Sequence, residues 1–560
     1  MVFSLSNPAR DSYLLWHRFT MPTPSGTKDA VAVTASDAAM LVSAYTFILE
    51  HTVMLAWSML ILMTVVICTR RYSQAHPNRP FSKKIYEERD SSPLAIFYLS
   101  AAILIRQRSA RFLIAMWILV SLVWAAARYG LPIVFSGYIR IGNAAPVNPT
   151  AVFIPSRNNT GSFSDSSNVN NLEIFNFYVP SALRSVGAVD ALNQTKNLPI
   201  AVDQPETMGV DESGGLNIRI GYRYNVTGLD FGLQHYPDLR LSVEGSCITE
   251  YGWWAGSSRN DSLHPGAYLD AYIPFNNPNY TQYVSVYDGG PRAYFFANPA
   301  ESTSPTNTTW AAIISSVNRT SWFPSEDPWY QTGPNPYYNT NLSMVAPYMV
   351  LPQRPMLSCW ENDVWSYRGR NGSIADLPTM PGLDLSPGLT AILVDSLGAP
   401  MIYLLGTYLQ VSALKSSVTA LSNILDAKSS SIYSDLHRLV YASYIATINC
   451  FTETTFFAPQ NGFPNEVRPG GVLLDGAADF VIFSNGIVTL SVRTMIVIPV
   501  LAVALWILSI TLVLSPITQR TIRELVPPIE DDKEDLPNSN HLSAIFSEII
   551  SQFKTQAAAS

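Results

Sequence analysis

The sequence is short of charged residues: Asp, Glu, Lys and Arg make up 14% of its 560 residues, whereas an average soluble domain has about a quarter. The 35 basic residues are outnumbered by 42 acidic ones, which gives a formal net charge of -7. A nucleic-acid-binding domain normally presents a basic surface, so this balance argues against nucleic acid as a partner. The shortage of charge indicates instead that part of the chain lies in lipid.

The sequence also lacks the common signatures of catalysis. It has seven histidines, none in a His-Glu-x-x-His arrangement, and it has no Gly-x-Ser-x-Gly nucleophile elbow. The nearest approach to that elbow, around Ser396, lacks the first glycine. No Gly-rich phosphate-binding loop is present either. We therefore assign no catalytic residue, no metal and no cofactor from the sequence.

Three apolar runs are long enough to cross a bilayer, which takes about 17 to 25 residues of helix. They cover residues 43–68, 112–135 and 494–516, and the third contains no charged residue. A shorter run at 93–105 predicts an interfacial helix or the in-plane start of the second span. Residues 387–411 contain Asp395, Gly398, Pro400 and Gly406, so a pair of packed helices is favoured there over a fourth span.

The charge distribution predicts the orientation. The segment between the first two runs holds nine basic residues and three acidic ones, and such loops stay in the cytosol. Residues 1–42 and 136–493 are then outside, whereas the loop 69–111 and the tail 517–560 are inside. Residues 1–30 lack the apolar core of a signal peptide, so the first span is expected to act as its own insertion signal. The predicted location is the plasma membrane, with a vacuolar or other secretory-pathway membrane as the alternative.

Acceptor triplets for N-linked glycans agree with this orientation. All nine Asn-x-Ser/Thr triplets fall in the segment assigned to the outside: Asn158, Asn193, Asn225, Asn260, Asn279, Asn307, Asn318, Asn341 and Asn371. A segment rich in Ser, Thr and Asn also produces such triplets by composition alone. Nine of them on one side of a charge-derived boundary nevertheless favour a glycoprotein.

The outer segment changes character near residue 377. Over 136–376, short alternating runs separated by Gly, Pro and Asn predict a β-rich glycosylated domain of sandwich or related all-β type. Over 377–493, capping signals such as Ser386 before Pro387 and apolar periodicity predict helices that end in a strand. We expect an α+β membrane protein with three transmembrane helices, a β-rich outer domain and a helical membrane-proximal layer.

The four cysteines are too few for a small disulfide scaffold. Cys247 and Cys359 occupy strand-like runs of the outer segment, where an oxidising environment allows pairing, and they are the favoured disulfide. Cys450 is expected to be buried and free on a helix, although pairing stays open. Cys68, at the cytosolic end of the first span, is expected to pack there, with palmitoylation as the alternative.

Two opposite charges lie within the first two spans. Glu50 is about 30 Å along a helix from Arg70, and Arg128 is about 26 Å from Arg111, so both reach a similar height. Ionisable groups in spans are costly and tend to pair, which predicts an ion pair between Glu50 and Arg128. The alternative is that each side chain extends separately to the outer surface.

The cytosolic tail carries apolar residues at helical spacing over 541–553. Such a stripe needs a surface. It packs on the chain's own cytosolic loop or on the lipid interface, or it binds a cytosolic partner.

Acidic residues among aromatic ones are the only pattern that suggests chemistry. Glu361 and Asp363 lie between Trp360 and Trp365, and Glu250 lies close to another tryptophan pair. Two carboxylates beside sugar-stacking aromatics can cleave a glycoside, whereas tryptophans in strands more often fill a core. We therefore expect a non-enzymatic cell-surface glycoprotein for adhesion, sensing or scaffolding. The alternatives are a membrane-anchored ecto-enzyme acting on carbohydrate and a subunit of an oligomeric channel.

Two runs carry a resemblance to known proteins: Ala-Ala-Pro-Val-Asn-Pro at 144–149 and Cys-Trp-Glu-Asn-Asp-Val-Trp-Ser-Tyr at 359–367. With the order of the parts, they resemble uncharacterised multi-pass membrane glycoproteins of filamentous fungi that have a large outer domain. The resemblance covers most of the chain. It implies the same topology, but it assigns no activity and no site residue.

Overall fold

The computed structural model describes residues 8–71, 93, 111–156, 169–191, 198–212, 214–260, 265–285, 292–298, 306–317, 319–338, 346–418, 420–421, 424–457, 463–516 and 518–519. The chain divides into two compact units. One comprises Met1–Leu41 and Tyr138–Met495 and is called here the folded domain. The other comprises Val42–Gly137 and Ile496–Ser560 and is called the helical unit.

The α-helices are, in chain order, α1 (Ala35–Arg71), α2 (Arg111–Ile139), α3 (Val169–Ala191), α4 (Gly228–Phe231), α5 (Pro387–Leu397), α6 (Met401–Leu409), α7 (Lys415–Val418), α8 (Ile432–Glu453) and α9 (Val492–Leu514). Helix α5 begins as predicted, because Ser386 accepts the Leu389 N–H through its hydroxyl and Pro387 occupies the first helical position. Helix α3 was not expected. It lies in the segment predicted to be β-rich and contains Pro180.

The strands are β1 (Arg18–Thr23), β2 (Gly26–Thr34), β3 (Arg140–Gly142), β4 (Ala144–Pro146), β5 (Ile200–Val202), β6 (Glu206–Val210), β7 (Leu216–Thr227), β8 (Arg240–Glu250), β9 (Trp254–Asn260), β10 (Pro265–Tyr272), β11 (Gln282–Ser285), β12 (Arg292–Asn298), β13 (Asn307–Ser315), β14 (Thr320–Ser321), β15 (Thr332–Pro334), β16 (Tyr348–Val350), β17 (Met356–Tyr367), β18 (Arg370–Gly372), β19 (Ala420–Leu421), β20 (Ile424–Leu425), β21 (Val481–Phe483) and β22 (Ile487–Ser491).

An eight-stranded antiparallel sheet, called here the main sheet, dominates the folded domain. Its central order is β12-β13-β17-β8-β7-β5, with β18 paired to β17 and β6 paired to β7. Burial alternates along β7 from Ile218 to Val226, because successive side chains of a strand point to opposite faces. Along β7 one face is therefore apolar and buried, and the other, called here the open face, carries polar side chains. Near β13 this second face is covered, because Ala311 and Ile313 belong to a separate buried cluster.

Helices cover the buried face of the main sheet. Leu393 of α5, Leu405 of α6 and Leu439 of α8 join one core cluster with strand residues such as Tyr224 and Val243. Burial of this apolar surface is the main stabilising contribution to the layer. The expected sandwich is therefore wrong, because this face packs on helices rather than on a second sheet of similar size. Helices α5 and α6 fill the 387–411 region, and their buried leucines belong to this core.

A smaller sheet, of order β1-β2-β22-β3, contains the N-terminal hairpin. The segment 1–42, expected to be only an outer tail, therefore contributes two strands, and the first apolar helix begins at Ala35 rather than near residue 43. The hairpin needs a partner to be stable, since an isolated two-stranded hairpin is marginal in water. Here β22 supplies it through five paired residues, Ala30 to Thr34 against Ser491 to Ile487.

Three helices in the described part of the chain are long and apolar enough to cross a membrane: Ala35–Thr64, Ile118–Ile139 and Val492–Leu514. The bent pair Pro387–Leu397 and Met401–Val418 would make a fourth by length and composition alone. The predicted interfacial helix at 93–105 falls outside the described residues apart from Pro93, and the predicted tail helix at 541–553 falls wholly outside them.

Candidate functional site

The buried face of the main sheet contains a row of interacting polar groups. Tyr222 of β7, Gly245 of β8 and Glu361 of β17 are directly opposite one another across three strands. The Tyr222 hydroxyl donates a hydrogen bond of 2.7 Å to Oε2 of Glu361. A side chain at residue 245 would overlap the Tyr222 ring, so this bond depends on the glycine between its partners.

Two carboxyl groups lie close together in this core. Burial raises the pKa of Glu361 well above its usual range, the nearby charge of Asp363 raises it further, and the Tyr222 bond opposes the rise. Burial also raises the pKa of Asp363 to about 7. The Asp363 Oδ1 atom is buried and has no hydrogen-bond partner among the described residues. The cavity beside the pair is only about 10 Å³, room for at most about one water molecule.

The acids and tryptophans of β17 do not form a common site. Trp360 is 39% exposed on the open face, whereas Glu361 is buried on the opposite face. Trp365 is also buried, and its ring stacks on Phe231 with centroids 5.8 Å apart. Glu250 is likewise engaged locally, since it accepts the Gly252 N–H at 2.8 Å. The geometry expected for carbohydrate cleavage, with Glu361 and Asp363 beside a sugar-sized space, is therefore not present at these residues.

A disulfide bond joins Cys247 and Cys359, the pair that the strand pattern favoured. The two residues are direct cross-strand partners on β8 and β17, with Cα atoms 4.1 Å apart. Close non-hydrogen-bonded positions of an antiparallel pair bring side chains together at about this spacing. Cys450 lies buried on α8 and is free.

Another buried acid was missed from the sequence. Asp435 of α8 accepts hydrogen bonds from the Tyr330 hydroxyl, from the Ser416 N–H at 2.8 Å and from the Ser416 hydroxyl at 3.1 Å. Burial raises its pKa to about 6 and the hydrogen bonds oppose the rise. These partners come from distant segments, so only the acid itself, on the largely buried helix α8, was visible beforehand. The arrangement joins the Tyr330 segment and helix α7 to α8.

A polar groove of about 200 Å³ lies on the open face of the main sheet. Its floor is a cross-strand row of Gly221 on β7, Ser246 on β8 and Trp360 on β17. Asp203 lies over Gly221, because its N–H donates to the Gly221 carbonyl at 2.8 Å. The small residues make a depression and the Trp360 indole bounds it.

Charged side chains surround this groove: Asp203, Glu206, Arg219, Arg223 and Glu244. All five are exposed, and none forms a side-chain hydrogen bond or ion pair with the described part of the chain. Sequence reasoning missed the groove, since it requires knowing which residues of three strands are neighbours. The signal that existed was an alternation of charged and apolar residues along β7.

Five of the nine predicted glycan acceptors lie within the described residues. Asn225, Asn279 and Asn371 are exposed, and Asn307 is half-buried. Asn225 lies on the open face, where its Oδ1 accepts a hydrogen bond from Ser242 at 2.7 Å. Asn260 ends β9, and the remaining predicted acceptors, Asn158, Asn193, Asn318 and Asn341, lie outside the described residues.

Within the helical unit, Arg128 of α2 and Glu50 of α1 form an ion pair. The Arg128 Nη2 and Nε atoms donate to Oε1 of Glu50 at 2.7 and 3.1 Å. One turn away, the Trp124 indole N–H donates to the Val53 carbonyl at 3.0 Å, and its ring lies near Trp57. The two helices are therefore joined by a local polar contact as well as by apolar packing.

Comparison with known proteins gives a match to a protein family. A family model described as "Domain of unknown function (DUF8406)" matches residues 179–482. No curated protein and no solved structure matches the chain. The matched segment begins within α3 and ends within β21, so it contains the main sheet, the disulfide and the helices that cover the sheet. Since it spans more than half of the 560 residues, the chain belongs to the DUF8406 family.

Proposed function

We propose that this protein is a non-enzymatic, multi-pass membrane glycoprotein that displays its folded domain outside the cell for adhesion, sensing or scaffolding. The N-terminus and the folded domain would be outside, with the C-terminus in the cytosol and the plasma membrane as the location. A secretory-pathway membrane is the alternative location.

The sequence and the structure support the outer location in different ways. Nine acceptor triplets and the basic loop favour an outer position of the folded domain. The disulfide bond between Cys247 and Cys359 suits an oxidising compartment, because cytosolic thiols are kept reduced.

The observation that carries a binding role is the contrast between the two faces of the main sheet. The acid pair Glu361 and Asp363 lies in a core with almost no free space. The open face instead holds a solvent-accessible groove with an exposed tryptophan and charged groups that have no described partner. Convergent polar groups around an apolar surface are typical of ligand-binding sites. The alternative of a carbohydrate-cleaving ecto-enzyme was based on this acid pair, so its burial removes the support for that alternative.

Surface labelling and deglycosylation test the proposed display of the folded domain outside the cell. Cells that express the full chain are labelled with an impermeant biotin reagent, and the protein extracted from them is treated with an N-glycosidase. We expect labelling of the folded domain on intact cells and a downward mobility shift. Labelling that requires permeabilised cells would contradict the plasma-membrane location, and a protein whose mobility the N-glycosidase leaves unchanged would contradict the outer position of the folded domain.

The same cells then separate binding from catalysis. Attachment to matrix polysaccharide and protein coatings is compared for the wild type, W360A and E361Q at matched surface levels. A binding protein loses attachment with W360A and keeps it with E361Q. Attachment that is unaffected by W360A and abolished by E361Q would instead favour chemistry at the acid.

A further inference from the structure

We infer that the groove on the open face binds a neutral saccharide, with one sugar ring stacked on Trp360 and its hydroxyl groups held by the surrounding charged side chains. This inference rests on the proposed function, because it names the ligand of the displayed domain.

The shape of the groove fits a ligand of about one sugar ring. Its volume of about 200 Å³ is below the range of roughly 300 to 1,000 Å³ that is usual for drug-sized ligands. The floor is smooth, since Gly221 has no side chain and Ser246 has a small one. A side chain at residue 221 would approach Asp203 Oδ2 to 2.5 Å, so the glycine keeps the depression open.

Trp360 gives the groove its apolar surface. The residue is 39% exposed although it lies in the middle of a long, well-paired strand. Aromatic side chains bury a large area when they are covered, and they bind flat, partly apolar groups well. The apolar face of a pyranose ring is such a group, and its edge carries the hydroxyls.

Ser246 supplies an unsatisfied polar group at the floor. The residue is 9% exposed, and its hydroxyl is buried with no hydrogen-bond partner among the described residues. Buried polar atoms in native proteins nearly always have a partner, and a hydroxyl both donates and accepts. A rotation of the Ser246 side chain toward the groove would let a ligand hydroxyl satisfy it.

The charges around the groove favour a neutral ligand that is rich in hydroxyls. Three carboxylates accept hydrogen bonds and two guanidinium groups donate them: Asp203, Glu206, Glu244, Arg219 and Arg223. Each hydroxyl of a sugar both donates and accepts, so it can use both kinds of partner. An anionic ligand would meet three negative charges against two positive ones. Directly opposed Arg223 and Glu244 form no ion pair with each other, so both remain available.

The saccharide has two possible sources with the same chemistry. One is a glycan of the surroundings, and the other is the protein's own N-linked glycan. Asn307 lies in the same cross-strand row as Glu244 and Arg223, and Asn225 lies two residues beyond Arg223 on the same face. The experiment therefore includes variants that remove these acceptors.

The test uses the full chain in lipid nanodiscs. It is applied to arrays of printed cello-, laminari-, manno- and chito-oligosaccharides, and it is titrated with the same oligosaccharides in solution. A heparin oligosaccharide serves as the anionic comparison. We expect saturable binding of at least one neutral series and weaker binding of heparin. W360A should weaken binding at least tenfold, whereas S246A should weaken it several-fold. The matched control is W322A, at another exposed tryptophan outside the groove, and it should bind like the wild type.

The acceptor variants N225Q and N307Q identify the source. Binding that appears only in these variants supports the groove as a saccharide-binding site and identifies the protein's own glycan as its occupant. The inference is overturned when no neutral saccharide binds any of these proteins up to about 10 mM, a binding free energy of roughly 3 kcal/mol. It is also overturned when W360A binds like the wild type, or when heparin alone binds. Surface labelling of intact cells remains an independent measurement, so failure here leaves the display of the domain separately testable.

Discussion

The hydroxyl of Tyr222 reaches across strand β8 to donate a 2.7 Å hydrogen bond to Glu361, and the strand between them presents Gly245 at that point. The buried carboxyl is thereby stabilised by a partner two strands away. A carboxyl without such a donor would leave a buried polar group unsatisfied, at a cost of about 1 to 3 kcal/mol.

Replacing this glycine should disrupt the bond. We expect Gly245→Ala to destabilise the folded domain by roughly 1 to 3 kcal/mol, because its Cβ would overlap the Tyr222 ring. The control is Gly187→Ala on the exposed side of α3, where a Cβ meets nothing within 4 Å and helix propensity improves. Chemical unfolding of the full chain in detergent, followed by tryptophan fluorescence, measures both changes.

The effect of G245A should overlap with that of Tyr222→Phe, which removes only the hydroxyl. Because both variants break the same bond, the double variant should be destabilised by less than the sum of the two single effects. Full additivity would show that the hydrogen bond is not what the glycine protects.

The acid pair should make stability depend on pH in a definite direction. The pKa of Asp363 in the folded state, about 7, lies above its ordinary value of 3.8, so the folded protein binds more protons than the unfolded one between these values. The contribution of neutral Asp363 to the free energy of unfolding is fully present below about pH 4, and it is lost as the pH rises through about 7. A shift of this size corresponds to at most roughly 4 kcal/mol.

Unfolding of Asp363→Asn at several pH values measures this contribution. We expect the variant to lose less stability than the wild type between about pH 4 and pH 7, because the amide has no charge to bury. Glu326→Gln, at an exposed acid, serves as the control and should follow the wild-type profile. Parallel profiles for D363N and the wild type would exclude Asp363 as the titrating group.

The sequence was informative where the structure depends on spacing along the chain. Apolar length predicted the three long helices, and strand alternation predicted the partners Cys247 and Cys359. It was uninformative where the answer depends on neighbours across strands. The spacing of Glu361 and Asp363 places them on one face, but only the register with Gly245 and the helices above shows that this face is the core. The groove was missed for the same reason, and the environment of Asp435 was missed because its partners come from distant segments.

The disulfide should contribute strongly to stability. It joins residues 112 positions apart, and closing a loop of that length restricts the unfolded chain. We expect the double variant Cys247→Ala with Cys359→Ala to lose roughly 2 to 5 kcal/mol and to migrate more slowly than the wild type on a non-reducing gel. Cys450→Ala is the control, because that thiol is free, and its non-reducing mobility should equal that of the wild type. Wild-type mobility unchanged by reductant would contradict the bond.

The ion pair of the helical unit gives the last prediction. Arg128→Leu leaves Glu50 without the guanidinium that now donates to it at 2.7 Å, and an unpaired charge within a span is costly. We expect reduced surface expression and a lower melting temperature in detergent. The charge swap Glu50→Arg with Arg128→Glu should recover most of the loss, since it restores opposite charges on the same two helices.

Arg18→Leu is the matched control for this prediction. It removes an ion pair of equal length, 2.7 Å to Asp29, but both side chains there are more than half exposed. Exposed ion pairs contribute only about 0 to 1 kcal/mol, so surface expression should stay near the wild-type level. Should the swap fail while each single variant is equally impaired, packing around Trp124 rather than charge pairing would explain why the two helices associate.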